Sequence, residues 1–261
     1  MQDWPLEEEQ ALRGVVLMVH GLGEHAGRYD HVARRLNSWG FAARGYDHYG
    51  HGESGGVRGV LPSESRMVDD LADVVESTHA RMDRNTPLIL LGHSMGGLIA
   101  ARFVAQGTRA VNALVLSSPA LDAGLSFGQK LLLATLPKFA PNFCVGNGLD
   151  ANFISHNPAT VEAYNSDPLV HDRISGRLAR FIAQGGPAVV ARAAQWKVPT
   201  LLMYAGADRL VNPAGSRAFA AAAPASVVTA RCFDDLYHEI FNEADPEPVF
   251  EELRRWLDAR F

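Results

Sequence analysis

The chain has 261 residues and a formal charge of -5, with 47% hydrophobic and 20% charged residues. This length suits one large α/β domain, and so large an apolar share can bury a sizeable core, which excludes wholesale disorder. A net negative charge gives no electrostatic reason to bind nucleic acid. Two cysteines are too few for a disulfide framework, so we expect a reducing, cytoplasmic location.

Two stretches of the chain bear on membranes and export. The first ten residues, MQDWPLEEEQ, are acidic and lack the cationic start and apolar stretch of a secretory signal. The longest apolar run, Leu131–Leu136, is far shorter than the roughly 18 residues that a membrane span needs. We therefore expect no export and no membrane span, while transient contact with a membrane surface stays open.

Short apolar runs alternate with longer segments of helical spacing along most of the chain. The runs predict six strands, at Val15–Val19, Phe41–Tyr46, Leu88–Leu91, Ala113–Leu116, Thr200–Tyr204 and Val227–Phe233. Helices are predicted around Val32–Trp39, after Ser63, over Leu98–Ala105 and from about Pro246 to Leu257. This alternation is typical of an α/β protein with a mostly parallel central sheet flanked by helices.

The alternation stops between residues 120 and 195, where no convincing strand is visible. We interpret residues 120–195 as an inserted helical cap, or lid, on a core made of residues 1–119 and 196–261. The first cap helix is predicted to be apolar around most of its circumference, at Leu125, Phe127, Leu131, Leu132, Leu133, Leu136 and Phe139. Such a helix packs on the core, lines a lipid-sized tunnel or touches a membrane.

A candidate nucleophile lies in the segment Gly92-His93-Ser94-Met95-Gly96-Gly97, between a predicted strand and a predicted helix. In this context a serine sits on a sharp, strained turn that exposes its hydroxyl. The glycines have a steric purpose, because a side chain at these positions would collide with the neighbouring strand or helix. The pattern therefore predicts Ser94 as the nucleophile of a hydrolase.

A serine nucleophile needs a histidine base and a carboxylate that orients the base. His238 is the one histidine of ten that follows Thr200, and it comes directly after the last predicted strand. Asp208 follows the preceding strand and is the favoured acid, while Asp234 and Asp235, on the histidine's own loop, remain alternatives.

Two loops near the predicted site carry glycine and histidine. The turn His20-Gly21-Leu22-Gly23 ends the first strand, so the amides of Leu22 and Met95 are candidate oxyanion donors. The loop Asp47–Ser54 contains His48 and His51, but no metal-ligand spacing accompanies them. We expect hydrogen-bond networks there, with no metal and no cofactor.

Several motifs together resemble the monoacylglycerol lipases of the α/β-hydrolase superfamily, a group that also contains lysophospholipases. The motifs are His20-Gly21-Leu22-Gly23-Glu24-His25, Arg28-Tyr29, Gly50-His51-Gly52-Glu53-Ser54, the Ser94 turn, Tyr164-Asn165-Ser166-Asp167-Pro168-Leu169, Ala207-Asp208-Arg209-Leu210 and Tyr237-His238-Glu239. The resemblance implies a triad of Ser94, Asp208 and His238 and an oxyanion hole at Leu22 and Met95. It implies substrate contacts at Gly21, Glu24, His25, Arg28, His93, Tyr164 and Asn165.

The same resemblance implies the α/β-hydrolase fold and cleavage of a monoacylglycerol ester to fatty acid and glycerol through an acyl-enzyme. Members usually carry two antiparallel strands before the strand matched by Val15–Val19, so we expect these strands to be missing or vestigial here. The alternatives are a broader carboxylesterase, a lysophospholipase with an anionic head group near Arg28, and a receptor that binds lipid without catalysis.

Overall fold

The computed structural model describes residues 1–124 and 140–261, and within them the chain forms two sheets. The strands in chain order are β1 (Gln2–Trp4), β2 (Gly14–Val19), β3 (Phe41–Tyr46), β4 (Leu88–His93), β5 (Ala113–Ser117), β6 (Cys144–Gly146), β7 (Arg173–Ser175), β8 (Thr200–Ala205) and β9 (Val228–Phe233). The six strands predicted from sequence are β2, β3, β4, β5, β8 and β9, and all six are confirmed.

The larger sheet has the strand order β1-β3-β2-β4-β5-β8-β9. Every neighbouring pair in it is parallel except β1 with β3, which is antiparallel. The mostly parallel sheet of an α/β hydrolase is therefore confirmed. The expected remnant of the antiparallel strands is β1, which is three residues long and pairs Gln2 with Gly45 and Trp4 with Ala43.

Helices cover both faces of this sheet. The helices of the described residues are α1 (Asp30–Ser38), α2 (Arg66–His79), α3 (Ser94–Gln106), α4 (Pro158–Ser166), α5 (Gly176–Val190), α6 (Ala214–Ala222) and α7 (Glu247–Asp258), of which α4 and α5 lie in the segment between β5 and β8. On one face, α1 and α7 bury residues such as Leu36 and Leu253 in a single apolar cluster. On the other face, α2 and α3 bury Leu71 and Phe103, so the sheet is enclosed on both sides as a parallel sheet requires.

The segment between β5 and β8 departs from the expectation of a purely helical insertion. It contains α4 and α5, but β6 and β7 also pair there as a small antiparallel sheet. The expectation that this segment holds no strand was wrong, because strands of three residues with one or two apolar side chains give no readable period. The predicted apolar helix with Leu125 to Phe139 lies outside the described residues.

The helices of residues 1–124 and 140–261 include none that is both long and apolar enough to cross a membrane. The two cysteines, Cys144 and Cys232, are free thiols. Both are partly exposed rather than buried, since each lies near the end of a strand at the surface.

Candidate active site

Ser94 lies at the junction of β4 and α3, which places it at the carboxyl edge of the sheet. Its backbone is left-handed, with a φ of 52°, as expected for the strained turn of a nucleophile elbow. A Cβ at Gly96 would overlap the carbonyl of Val19, and one at Gly92 would lie 2.6 Å from the carbonyl oxygen of Gly96. The glycines of the motif therefore let the turn pass between its neighbouring strand and helix.

His238 and Asp208 form a buried pair beside this turn. The Nδ1 of His238 lies 2.7 Å from the Oδ2 of Asp208, and the second carboxylate oxygen accepts the amides of Leu210 and Val211 at 2.9 Å. Burial alone would raise the pKa of Asp208, but His238 and the two amides hold it below its usual value. An ionised Asp208 in this position fixes the proton of neutral His238 on Nδ1 and leaves Nε2 free to act as a base.

Burial alone would lower the pKa of His238. The Asp208 carboxylate, together with Glu239 and Glu24, outweighs burial and raises the pKa of His238 above its usual value. Neither Asp234 nor Asp235 bonds to His238 among the described contacts. Asp208 is thus the carboxylate that the structure brings to the histidine.

Ser94 and His238 line one small cavity of about 40 Å³, which we call the polar cavity because Glu24, Tyr164 and Glu239 also lie in its wall. In the described part of the chain no hydrogen bond joins the Ser94 hydroxyl to His238. Such bonds are often long in a site without substrate and shorten when the substrate binds. The shared cavity places the hydroxyl and the imidazole where one reacting carbonyl can meet both.

Two backbone amides flank Ser94 and fit the role of oxyanion donors. Met95 is the second residue of α3, so its N–H is one of the amides that a helix start leaves without an intrahelical acceptor. Leu22 lines the cavities around Ser94, and its N–H has no acceptor among the described residues. The turn before it packs tightly on the nucleophile, since a Cβ at Gly21 would lie 3.2 Å from the Ser94 Cβ.

A buried charge network, which we call the Arg28 network, ties this turn to the histidine loop. Arg28 donates to Glu24 at 2.7 Å and makes a two-pronged bond to Glu239 at 2.7 and 2.8 Å. Glu24 also accepts from the Tyr29 hydroxyl at 2.7 Å and from the amide of Gly21. Burial alone would lower the pKa of Arg28, but the two carboxylates raise it above its usual value. Glu239 was missed as a site residue, although it directly follows His238.

The residues that the resemblance assigned to substrate fall into two groups. Gly21, Glu24, His93 and Tyr164 line the polar cavity with Ser94 and His238. His93 stays neutral there, because burial lowers its pKa to about 4.

The other three residues do not line that cavity. His25 pairs with Asp167 at 2.8 Å, and Arg28 is engaged by its two carboxylates beneath the Tyr164 ring. Asn165 lines a separate outer groove with Tyr237.

A second, mostly apolar cavity of about 360 Å³ also has Ser94 in its wall and adjoins the polar cavity, because Leu22, Leu149 and Leu210 line both. The apolar wall residues include Leu22, Met95, Ala120, Val145, Leu149, Ile174, Ile182, Leu210 and Val211. Ser94 therefore sits between a small polar space and a larger apolar one.

The histidine-rich loop forms a hydrogen-bond network with the backbone. His48 donates from Nε2 to the carbonyl of His20 at 3.0 Å, and the ring of His51 contacts the carbonyl of Tyr49 at 3.0 Å. His171 reaches the carbonyl of Gly50 at 3.1 Å. Residues 1–124 and 140–261 contain no group of three histidine, cysteine or acidic side chains arranged to hold a metal ion.

Comparison with known proteins gives three kinds of match. The model of the family described as serine aminopeptidase, S33, matches residues 10–245. A monoacylglycerol lipase of Mycolicibacterium smegmatis is 38% identical over 94% of this chain and 88% of its own length. A phospholipase of Bacillus subtilis is 32% identical over 94% of this chain and 95% of its own.

Among solved structures, a monoacylglycerol lipase of Paleococcus ferrophilus superposes with a TM-score of 0.87 at 33% identity, over 99% of each chain. By the family match and these relatives, the chain belongs to the serine aminopeptidase S33 family of α/β-hydrolases and is related to the monoacylglycerol lipases.

Proposed function

We propose that the chain is a serine ester hydrolase that cleaves monoacylglycerols to free fatty acid and glycerol. The observation that carries the proposal is the position of Ser94 between a polar cavity of about 40 Å³ and an apolar cavity of about 360 Å³. A monoacylglycerol has the same division, since its ester joins a small polar alcohol to an apolar chain. The related lipases support the same substrate class.

The reaction begins when His238 takes the Ser94 proton through Nε2 and the serine oxygen attacks the ester carbonyl. The amides of Leu22 and Met95 donate to the oxyanion of the tetrahedral intermediate. His238 then gives its proton to the glycerol oxygen, which leaves as the C–O bond breaks. A water molecule, deprotonated by His238, attacks the acyl-enzyme and releases the fatty acid with Ser94 restored.

We assign residues 120–195 as a cap on a core of residues 1–119 and 196–261. Residues of this segment that line the apolar cavity, such as Val145, Leu149 and Ile182, support the assignment. Beneath such a cap the acyl chain is shielded from water, which strengthens the polar interactions at the ester.

The charges around the polar cavity argue against an anionic head group. The cavity wall includes the carboxylates of Glu24 and Glu239, and both accept from the one guanidinium of Arg28. A phosphate placed beside Arg28 would therefore meet two negative charges and one positive charge that is already paired. This arrangement favours a neutral alcohol such as glycerol over the head group of a lysophospholipid.

A comparison of substrates tests the proposal. We expect Ser94-dependent release of fatty acid from a long-chain monoacylglycerol, with lysophosphatidylglycerol of the same acyl chain, whose head group is anionic, cleaved at least about tenfold more slowly, because like charges in a pocket are disfavoured by a few kcal/mol. Di- and triacylglycerols and short nitrophenyl esters complete the set, with Ser94→Ala as the blank. Faster cleavage of the lysophospholipid, or cleavage of short esters alone, would contradict the substrate assignment.

We further propose a cytoplasmic enzyme that touches a membrane surface transiently through its cap. Phe143, which directly precedes β6, and Val145 within β6 are 65% and 49% exposed, and Leu149 farther along the chain is 41% exposed. Val57 is 66% exposed and lies beside them, since the Cys144 thiol contacts the carbonyl of Arg58. Val145 and Leu149 also line the apolar cavity, so a lipid could pass from the bilayer to Ser94.

Substitution of Phe143 by serine should weaken binding to phosphatidylcholine–phosphatidylglycerol vesicles about tenfold in a sedimentation assay, because inserting a phenyl ring contributes about 1.5–3 kcal/mol. Leu12→Ser is the matched control, since Leu12 is 49% exposed but lies just before β2, at the amino ends of the parallel strands and not at the carboxyl edge that carries Ser94. Equal vesicle binding of the two variants would argue against this face.

A further inference from the structure

The peptide between Gly21 and Leu22 is held by a side chain whose position the reaction scheme does not use. His20 follows β2 directly and is buried, with only 1% of its surface exposed. Its Nδ1 lies 2.8 Å from the carbonyl oxygen of Gly21. That carbonyl belongs to the same peptide unit as the N–H of Leu22.

The neighbouring His48 determines which nitrogen of His20 carries the proton. The backbone amide of His48 donates to the Nε2 of His20 at 3.0 Å, so Nε2 is an acceptor and Nδ1 carries the hydrogen. The Nε2 of His48 donates in return to the carbonyl of His20 at 3.0 Å. Burial, together with nearby His51, keeps the pKa of His20 well below its usual value, so the ring remains neutral. The bond at Gly21 is therefore an Nδ1–H donor to a carbonyl.

In a trans peptide the C=O and the N–H point in opposite directions. A bond that draws the Gly21 oxygen toward His20 consequently turns the Leu22 N–H away from His20. Without that bond the peptide after Gly21 could rotate, because glycine restricts the backbone less than any other residue. Glu24 already holds the amide nitrogen of Gly21, so the two sides of this residue are fixed by two different buried side chains.

We propose that His20 is a positioning residue that aims the Leu22 amide at the oxyanion by holding the Gly21 carbonyl with its Nδ1–H. The inference rests on the proposed function, because Leu22 is an oxyanion donor only if Ser94 attacks an ester. It adds a role for His20 in catalysis without contact between His20 and the substrate.

Two substitutions distinguish the role of the Nδ1 of His20 from that of its Nε2. Asparagine places an amide nitrogen near the position of Nδ1 and can still donate to the Gly21 carbonyl. Glutamine places its amide near the position of Nε2, so it can accept from His48 but not hold Gly21. We expect His20→Gln to lower kcat about 10²-fold with KM within about threefold, since loss of one oxyanion donor costs about 10²–10³. His20→Asn should stay within about fivefold of the unsubstituted protein, because it keeps the donor to Gly21.

A second measurement distinguishes a misdirected Leu22 amide from a general loss of structure in the variant. An alkyl boronic acid forms a tetrahedral adduct with a serine nucleophile, and its affinity depends on the oxyanion donors. We expect boronate affinity to fall in His20→Gln by about the same factor as kcat, with similar melting temperatures for the two variants. Equal kcat and equal boronate affinity in the two variants, in a protein whose hydrolysis still requires Ser94, would overturn the role of His20 alone. Absence of Ser94-dependent ester hydrolysis in the unsubstituted protein would reject the proposed function and this role together.

A measurement on the unsubstituted protein covers the case in which the variants do not fold. The ¹⁵N shifts of the His20 imidazole should show a protonated Nδ1 and an unprotonated Nε2 throughout the pH range of activity. A ring with its proton on Nε2, or a charged ring in that range, would overturn the inference.

Discussion

Ser94→Ala and Asp208→Asn should each remove most of the turnover, and the double variant should be no slower than Ser94→Ala alone. Loss of the nucleophile costs about 10⁶-fold in kcat, and loss of the orienting carboxylate costs about 10⁴-fold, in enzymes of this chemistry. Asparagine keeps the size of Asp208 but turns an N–H toward His238. The imidazole must then carry its proton on Nε2, where it cannot accept the serine proton.

The pH profile of kcat/KM gives an independent readout of the same pair. The reaction needs neutral His238, so the rate falls as pH drops through the pKa of His238. That pKa is raised, because the Asp208 carboxylate outweighs burial, so the acid limb of the unsubstituted protein should lie at higher pH than an ordinary histidine would give. The residual activity of Asp208→Asn should have its acid limb at lower pH, because the stabilising carboxylate is gone.

Asp235→Asn is the matched control, since Asp235 lies on the histidine loop and, in the described part of the chain, makes no hydrogen bond or ion pair with His238, whose partner is Asp208. It should keep both the rate and the pH profile. If Asp235→Asn were as damaging as Asp208→Asn, or if the losses of Ser94→Ala and Asp208→Asn multiplied in the double variant, the three residues would not act as one unit.

The sequence was sufficient to predict the sheet and the residues that meet at its edge. Parallel strands with continuous apolar runs leave a clear signal, and each candidate, Ser94, Asp208 and His238, directly follows such a strand or its loop. Because the carboxyl ends of parallel strands share one edge, chain order alone predicts that the three side chains lie close together.

Side-chain contacts between loops far apart in the chain could not be predicted from sequence patterns. Glu239 and Arg28 are 211 positions apart, and nothing in local spacing indicates that they pair. The strands β6 and β7 were missed because three-residue strands carry no period. The bond from His20 to Gly21 joins sequence neighbours, but only the position of the His48 amide shows which nitrogen donates. Side-chain partners of this kind are determined by packing rather than by residue pattern.

Arg28→Met should lower the free energy of unfolding by about 3–5 kcal/mol, because it leaves two buried carboxylates without their counter-charge. The Arg28 side chain is 10% exposed, and its partners Glu24 and Glu239 are 4% and 6% exposed, so water cannot replace it. Methionine retains much of the volume and the contact with the Tyr164 ring. Urea denaturation followed by tryptophan fluorescence measures the change.

The chain offers a close control in Arg35→Met. Arg35 pairs with Glu247 and lies 4.9 Å over the Phe250 ring, much as Arg28 lies 4.8 Å over Tyr164. Because the Arg35 and Glu247 side chains are 40% and 51% exposed, their pair contributes only about 0–1 kcal/mol. If Arg28→Met and Arg35→Met lowered the free energy of unfolding by similar amounts, burial would not determine how much the Arg28 network contributes to stability.

The pH dependence of the Arg28→Met defect separates lost charge pairing from lost packing. In the unsubstituted protein burial would raise the pKa of Glu24, but Arg28 and other neighbours hold it below its usual value, so Glu24 stabilises the fold above its unfolded-state pKa and loses that effect as pH falls. Without Arg28 the pKa of Glu24 rises, because burial is then opposed less strongly, and this stabilisation is reduced. The difference in unfolding free energy between the unsubstituted protein and Arg28→Met should therefore narrow as pH falls through the acidic range. A gap that stayed constant over this range would assign the defect to packing around the methionine rather than to the unpaired carboxylates.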